Sequence, residues 1–338
     1  MLGCGDLLSI GWGVLVRVRL GALIAVVALA LTGCGGSDKL EDPGQAVADA
    51  GFPRTVEHAM GKTEIPAKPK RVVALDASFV DATLILQTPV VGFTDYRTIN
   101  GKLPDYLGDD RTTYGAEAQS VGTLTEPNLE KIAALKPDLI ITAKVRHEKL
   151  YPQLSKIAPT VMTETTGPTW KDNIRLEGKA LGEEDKAEQE LSAYETAAKA
   201  VGKAINEKAN NPTISVVRFV DGPTRLYQGA SFSGIVLKDA ALKRPKSQDV
   251  NGFAAEISAE RIKDADADAI FVAVYADDKG LSKKTADQFK ANPLWKPLQP
   301  KVHEVPDITW MTAVGLQGAW SILTDLSTTF DVAAPERS

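Results

Sequence analysis

Cysteine is nearly absent. Cys4 and Cys34 are the only two in 338 residues, so the chain beyond Cys34 folds without a disulfide and without thiolate chemistry. Histidine is almost as scarce: His58, His147 and His303 lie far apart, unlike the paired ligands of a zinc site, and no resident metal is expected. The apolar run from Leu20 to Leu31 falls short of the ~20 residues that a membrane-spanning helix needs. Positive charge is not in excess; the net charge is −5, which offers nothing to a nucleic-acid backbone. The nucleophile elbow G-x-S-x-G and the zinc-peptidase pattern H-E-x-x-H are missing as well. The glycine-flanked serines of Gly229-Ala-Ser231-Phe-Ser233-Gly234 have no histidine nearby in sequence, although a triad assembles through space. No catalytic residue is assigned, and an exported enzyme remains the weakest alternative.

What is present begins at the N-terminus. Arg17 and Arg19 precede the apolar run, as in a signal peptide. The run ends at Leu31-Thr32-Gly33-Cys34, which resembles the lipobox of bacterial lipoproteins. The resemblance implies a signal peptide over 1–33, lipidation of Cys34, and anchoring on the extracytoplasmic face of the cell membrane. A retained membrane anchor is the alternative. Residues 1–15 read as an over-long start, with Val16 as a second candidate initiator. The small polar residues of 34–53 read as a flexible tether.

Arg54 to Ile65 has the pattern of a hairpin turning near Ala59-Met60-Gly61. From Arg71 onward short apolar runs alternate with helical patterns. The runs are Arg71–Leu75, Val90–Phe93, Leu139–Thr142 and Thr160–Met162, and such runs predict a mostly parallel sheet covered on both faces. Asp76 or Ser78 is placed to cap the helix after the first of them. Ala187, Leu191, Tyr194, Ala198, Val201 and Ile205 lie three and four apart, which predicts one buried face on a helix over Glu184–Lys208. At 1.5 Å per residue that helix spans ~37 Å, as an ordinary surface helix or as a rigid strut between lobes. After Pro212 the βα pattern resumes, with strands at Ile214–Val220, Ile270–Tyr275 and Val302–Val305, and helices at Gly234–Ala241 and Val314–Phe330.

One stretch occurs twice. Glu130-Lys-Ile-Ala-Ala-Leu-Lys-Pro-Asp138-Leu-Ile140 recurs 130 residues later as Glu260-Arg-Ile-Lys-Asp-Ala-Asp-Ala-Asp268-Ala-Ile270. Each Glu opens a helix, where the dipole favours a carboxylate. That explains each Glu singly; the matched pair predicts two lobes, each with one acidic knob on the same outer face.

The run Gly122-Thr-Leu-Thr-Glu-Pro-Asn-Leu-Glu130 through Asp138-Leu-Ile-Ile resembles the N-lobe signature of the iron–siderophore periplasmic substrate-binding lipoprotein family of ABC importers. Lys70-Arg71-Val-Val-Ala-Leu-Asp76, Ser231-Phe232-Ser-Gly234 and Trp310 to Leu326 are similar to its other landmarks. The resemblance implies an α/β fold of two Rossmann-like lobes joined by one long helix, the class III periplasmic-binding-protein fold. The divisions would be 54–168 for the N-terminal lobe, 169–211 for the linking helical segment and 212–332 for the C-terminal lobe. It further implies a monomer that binds its ligand between the lobes. Glu130 and Glu260 would then dock into arginine pockets of the permease.

A ferric siderophore is bulky, often anionic, and already fills the coordination shell of its iron, so its receptor needs arginines and aromatic faces rather than metal ligands. In open α/β lobes ligands lie at the carboxyl ends of strands. That rule selects Tyr96 and Arg97 in the first lobe, and Arg218, Arg225, Tyr227, Tyr275 and Trp310 in the second. Arg218 stands inside an apolar strand, where a charge is costly unless paired or used; a structural ion pair is its other reading. Arg244 reads as a loop residue and Arg71 as structural. Haem is the main rival ligand, with Tyr96, Tyr227 or Tyr275 as axial ligand; cobalamin is a weaker one. An envelope adaptor that keeps the fold without transport is the reading from another class.

Overall fold

The computed structural model describes residues 51–96, 99 and 101–337. The expected signal peptide, lipobox, Cys34, most of the tether and Arg97 lie outside the described residues. The chain enters through a hairpin, β1 (Arg54–His58) and β2 (Gly61–Ile65), turning where its glycine predicts. The first sheet is then laid down as β3 (Val72–Ala74), α1 (Ala77–Ile85), β4 (Val90–Phe93), α2 (Gly108–Thr113), β5 (Gln119–Ser120), α3 (Leu129–Ala134), β6 (Leu139–Ala143), α4 (Lys144–His147), α5 (Tyr151–Ile157) and β7 (Thr160–Thr163). Its strand order is β5-β4-β3-β6-β7 and every pairing is parallel. Continuous apolar strands are what such a sheet requires, because helices cover both of its faces.

Two helices follow, α6 (Trp170–Leu181) and α7 (Glu184–Lys208). Gly182 ends α6 in the left-handed conformation at φ 72°. The second sheet comprises β8 (Ile214–Phe219), β9 (Thr224–Tyr227), α8 (Phe232–Asp239), β10 (Ala254–Ile257), a 3-10 turn at Ala259–Ala265, β11 (Ala269–Val274), α9 (Leu281–Lys290) and β12 (Val302–Glu304). A single π turn at Ile308–Thr312 leads to α10 (Leu316–Phe330). The strand order is β10-β9-β8-β11-β12. Here β8, β11 and β12 are parallel while β9 runs against β8, and β10 against β9. The closing helix starts two residues later than its pattern suggests, because Val314 takes φ 48° and breaks the helical path.

The duplicated stretch has a structural meaning. Asp138 accepts from the amides of Lys70 and Arg71 at 2.8 and 2.9 Å, just before β3. Asp268 accepts from the amide and hydroxyl of Thr213 at 2.7 and 2.8 Å, just before β8. Each carboxylate thus fixes the entry of the central strand of its sheet. Ile132 and Ile262 fill the matching positions of the two cores and are both fully buried.

All described residues belong to one compact unit. The six apolar residues picked out on α7 are its buried face, with Gly202 added. That face packs against α6, α8 and α10. Phe232, Trp170, Tyr194 and Trp320 form, in that order, a chain of edge-to-face rings with centroids 5.7, 5.4 and 6.3 Å apart, which runs from α8 through α6 and α7 to α10. Such pairs are each worth ~0.5–1.5 kcal/mol beyond their buried area. Gly202 permits the closest approach, since a Cβ there would lie 1.7 Å from the carbonyl oxygen of Ala240 at the end of α8. Gly202→Ala is therefore expected to lower stability by ~2–3 kcal/mol, as overpacking does, read as a lower midpoint in urea at unchanged slope.

Candidate functional site

Arg218 is the penultimate residue of β8, with its side chain 13% exposed. Its guanidinium donates from Nε to Asp307 Oδ1 at 2.6 Å and from Nη2 to Asp307 Oδ2 at 2.7 Å, a bidentate pair. Nη1 donates to the Tyr227 hydroxyl at 2.9 Å. The ring of Tyr275 lies 5.1 Å from the guanidinium carbon, within cation–π range. Burial opposes the charge, but Asp307 and Tyr227 outweigh it and hold the Arg218 pKa above its ordinary value. Three of the five N–H donors of the guanidinium are thus occupied.

The cluster continues along β9 and β10. Arg225 is the cross-strand partner of both Arg218 and Glu256, so the two guanidinium groups rise from the same face of the sheet. Arg225 reaches Glu256 at 3.6 Å and stays about one-third exposed. Tyr227 stands edge-on to Phe253 at 5.2 Å, and Phe253 is 54% exposed. This exposed phenyl ring, packed on the tyrosine that accepts from Arg218, is the apolar surface that the cluster presents.

In the first sheet the strand ends carry a second set of charges. Asp76 follows β3, caps α1 through the amide of Ser78 at 3.1 Å, and accepts from Arg146 Nε at 3.1 Å. Lys144, just past β6, reaches Glu164 at 3.3 Å. Val145 between them is 60% exposed. Each of these cations has a carboxylate partner, as do Arg218 and Arg225. An anion here adds to existing ion pairs rather than neutralising a bare positive patch.

The structure does not bring every expected residue to the surface. Trp310 is fully buried in the π turn, stacked on Phe271 at 4.7 Å, and donates from Nε1 to Asp325 at 2.8 Å. It is a core residue that ties the turn to α10, so its placement after β12 misled. Tyr96 is 4% exposed against Phe93, and burial pushes its phenol pKa up. Neither side chain forms part of a ligand surface here. As axial haem ligands, Tyr96 is sealed off and the Tyr227 hydroxyl is engaged by Arg218. Arg244 lies in a loop, as expected, but its side chain is partly buried: it donates to the carbonyls of Ile214 and Tyr227 at 2.8 and 2.7 Å and so ties β8 to β9. Burial lowers its pKa to about 10.

Glu130 and Glu260 are both exposed, each in the first turn of its helix. Hydrogen bonds from Ser258 and from its own backbone amide lower the pKa of Glu260.

With this geometry in view, the comparisons with known proteins are specific. The model of a periplasmic binding protein family matches residues 72–299. The chain belongs to that family. Within it, the chain is 38% identical over 317 residues to the probable siderophore-binding lipoprotein YfiY of Bacillus subtilis, covering 89% of this chain and 94% of the relative. It is 31% identical to the Fe(3+)-citrate-binding protein YfmC of the same organism, covering 88% and 93%. Among solved structures it superimposes on Staphylococcus aureus SirA complexed with staphyloferrin B at a TM-score of 0.73 and 36% identity, over 83% of this chain and 99% of that one. The two-lobed fold expected from the sequence is the fold of this family.

Two members of the cluster escaped sequence reasoning. Asp307 lies 89 residues from Arg218, at the start of the π turn, and its only signal was the need of a strand arginine for a partner. Phe253 sits in the polar, glycine-containing stretch Asp249-Val-Asn-Gly-Phe253, where neither helical nor strand spacing marks a surface aromatic.

Proposed function

We propose that this periplasmic binding protein captures a ferric siderophore outside the cytoplasmic membrane and delivers it to an ABC permease. The carrying observation is Arg218, held at the end of the central strand by Asp307 and Tyr227 beside Tyr275 and the exposed ring of Phe253. Such a site offers oriented N–H donors and aromatic faces to a ligand that brings its own metal shell. Arg218 and Arg225 donate to the anionic oxygens, while Tyr227, Tyr275 and Phe253 meet the organic arms. Arg97 is proposed as a further donor to the ligand. The names of the relatives, siderophore-binding and ferric-citrate-binding proteins, support this ligand class. Glu130 and Glu260 dock the permease, Cys34 carries the lipid anchor, and the protein works as a monomer.

The test is a tryptophan-quenching titration of the full chain in detergent. Ferric citrate, ferric staphyloferrin B, a ferric hydroxamate, a ferric catecholate and haem are compared side by side. Saturable binding of one ferric chelate, tighter by about 100-fold than its iron-free form, is the expected result, a difference of ~2.7 kcal/mol. Binding of haem alone, with a shifted Soret band, would make the chain a haem carrier. Absence of binding throughout would favour an adaptor role.

A further inference from the structure

We propose that Asp81, on α1 of the first lobe, is the positioning residue that fixes the N-terminus of α10 and, through α10, the place of Asp307 and Arg218 in the ligand site. The inference rests on the ligand site proposed above, but its structural half stands alone. The first amides of any helix lack intrahelical partners. At α10 the N-cap is Gly315, which has no side chain to supply one, and the first turn holds no acidic residue. The partner comes from 236 residues away: Asp81 accepts from the Gln317 amide through Oδ1 at 3.0 Å and from the Gly318 amide through Oδ2 at 3.1 Å. Asp81 is fully buried. A buried carboxylate is tolerated where charge-assisted hydrogen bonds and the positive end of a helix dipole offset its desolvation. The approach is close enough that a Cβ on Gly315 would lie 2.4 Å from Asp81 Cγ.

The same helix leads to the site. Trp310 Nε1 donates to Asp325 of α10 at 2.8 Å, and the Thr312 hydroxyl donates to Asp307 Oδ2 at 3.2 Å. Asp307 opens the π turn and holds Arg218. A shift of α10 relative to α1 is therefore carried, through side chains in contact, to the guanidinium group.

Several ionisable groups surround Asp81. They are Asp76 just before its own helix, Asp110 on α2, Glu177 on α6, Tyr96 and Tyr106, and Arg337, which pairs with Asp110 at 2.9 Å. Burial raises the Asp81 pKa to about 7, against the pull of the Gln317 and Gly318 amides. A carboxyl raised in this way favours the fold most when protonated. That contribution is lost as pH rises from the unfolded value of ~4 through the folded value.

The experiment compares the full chain with Asp81→Asn and Glu177→Gln. The Asp81→Asn side chain offers one oxygen and turns an NH2 group toward the second amide. Glu177→Gln removes a buried carboxyl that accepts from the Thr83 hydroxyl at 3.1 Å and not from α10. Hydrogen exchange at Gln317 and Gly318 should rise about tenfold or more in Asp81→Asn, with the α7 amides unchanged and with no such rise in Glu177→Gln. Affinity for ferric staphyloferrin B or ferric citrate, whichever the unsubstituted chain binds, should fall about tenfold. The stability of Asp81→Asn relative to the unsubstituted chain should increase as pH rises between about 4 and 7. A merely structural cap would lower stability at every pH and leave affinity intact, and that result overturns the proposal. So does an equal rise in exchange in Glu177→Gln, or unchanged exchange at Gln317 and Gly318. If the unsubstituted chain binds no ferric chelate, the ligand assignment fails, and the exchange and pH arms decide the role of Asp81 as the clamp on α10.

Discussion

Arg218→Met should weaken capture of an anionic ferric chelate by ~1.5–3 kcal/mol, the range of a charged hydrogen bond, or roughly 10- to 100-fold in affinity. The same substitution should also destabilise the fold by ~3–5 kcal/mol, because Asp307 is left buried without its partner. The Asp307 side chain is only 11% exposed, so water does not replace the lost guanidinium. The two effects separate in the double variant Arg218→Met/Asp307→Leu. Removing both charges from a buried pair is often neutral for stability, so the double variant should regain most of the urea midpoint but none of the affinity. Recovery of both would return Arg218 to a purely structural role. Intact affinity in the single variant would do the same.

Reversing Glu130 and Glu260 together to lysine should reduce transport of the bound ligand by about 100-fold or more, since like charges set against basic pockets cost several kcal/mol at an interface. Ligand affinity of the purified chain should not change. Both residues are exposed, each in the first turn of its helix, and neither is hydrogen-bonded to a residue of the Arg218 cluster among the described residues. Neither takes part in a salt bridge among the described residues, and the carboxylates that hold the strand entries are Asp138 and Asp268, not these. Each single reversal should have an intermediate effect, and the two should combine nearly additively because the residues share no partner. Uptake of radiolabelled iron by cells, set beside affinity measured in vitro, decides the matter. Unchanged uptake in the double variant would remove the docking role and leave both glutamates as helix-terminal charges.

These assignments differ in how far ahead of the structure they could be seen. The parallel strands were legible because β3, β4, β6 and β7 are buried along their whole length, and such strands must be continuously apolar. The long helix was legible because one face alone is buried, so its period shows directly in Ala187, Leu191, Tyr194, Ala198, Val201 and Ile205. The antiparallel pair β9 and β10 was not. Its strands have four residues each and are partly exposed, too short for alternation to stand out from the surrounding loop.

The same contrast holds at the site. That Arg218 needed a partner or a ligand followed from its place in an apolar strand; that Asp307 is the partner did not. Tyr96 and Trp310 follow strands as ligand residues do, and the packing of Phe93 and Phe271 turned both inward. The sequence by itself determined the alternation of strands and helices, the duplicated unit with its two exposed glutamates, and the strand that carries Arg218. These are written in residues close together, where burial period and helix-end charge act over a few positions. Only the tertiary structure decided which carboxylate meets which cation, which aromatics are surface, and that Asp81 caps a helix 236 residues away. Such contacts depend on how whole elements pack, and no local spacing records them.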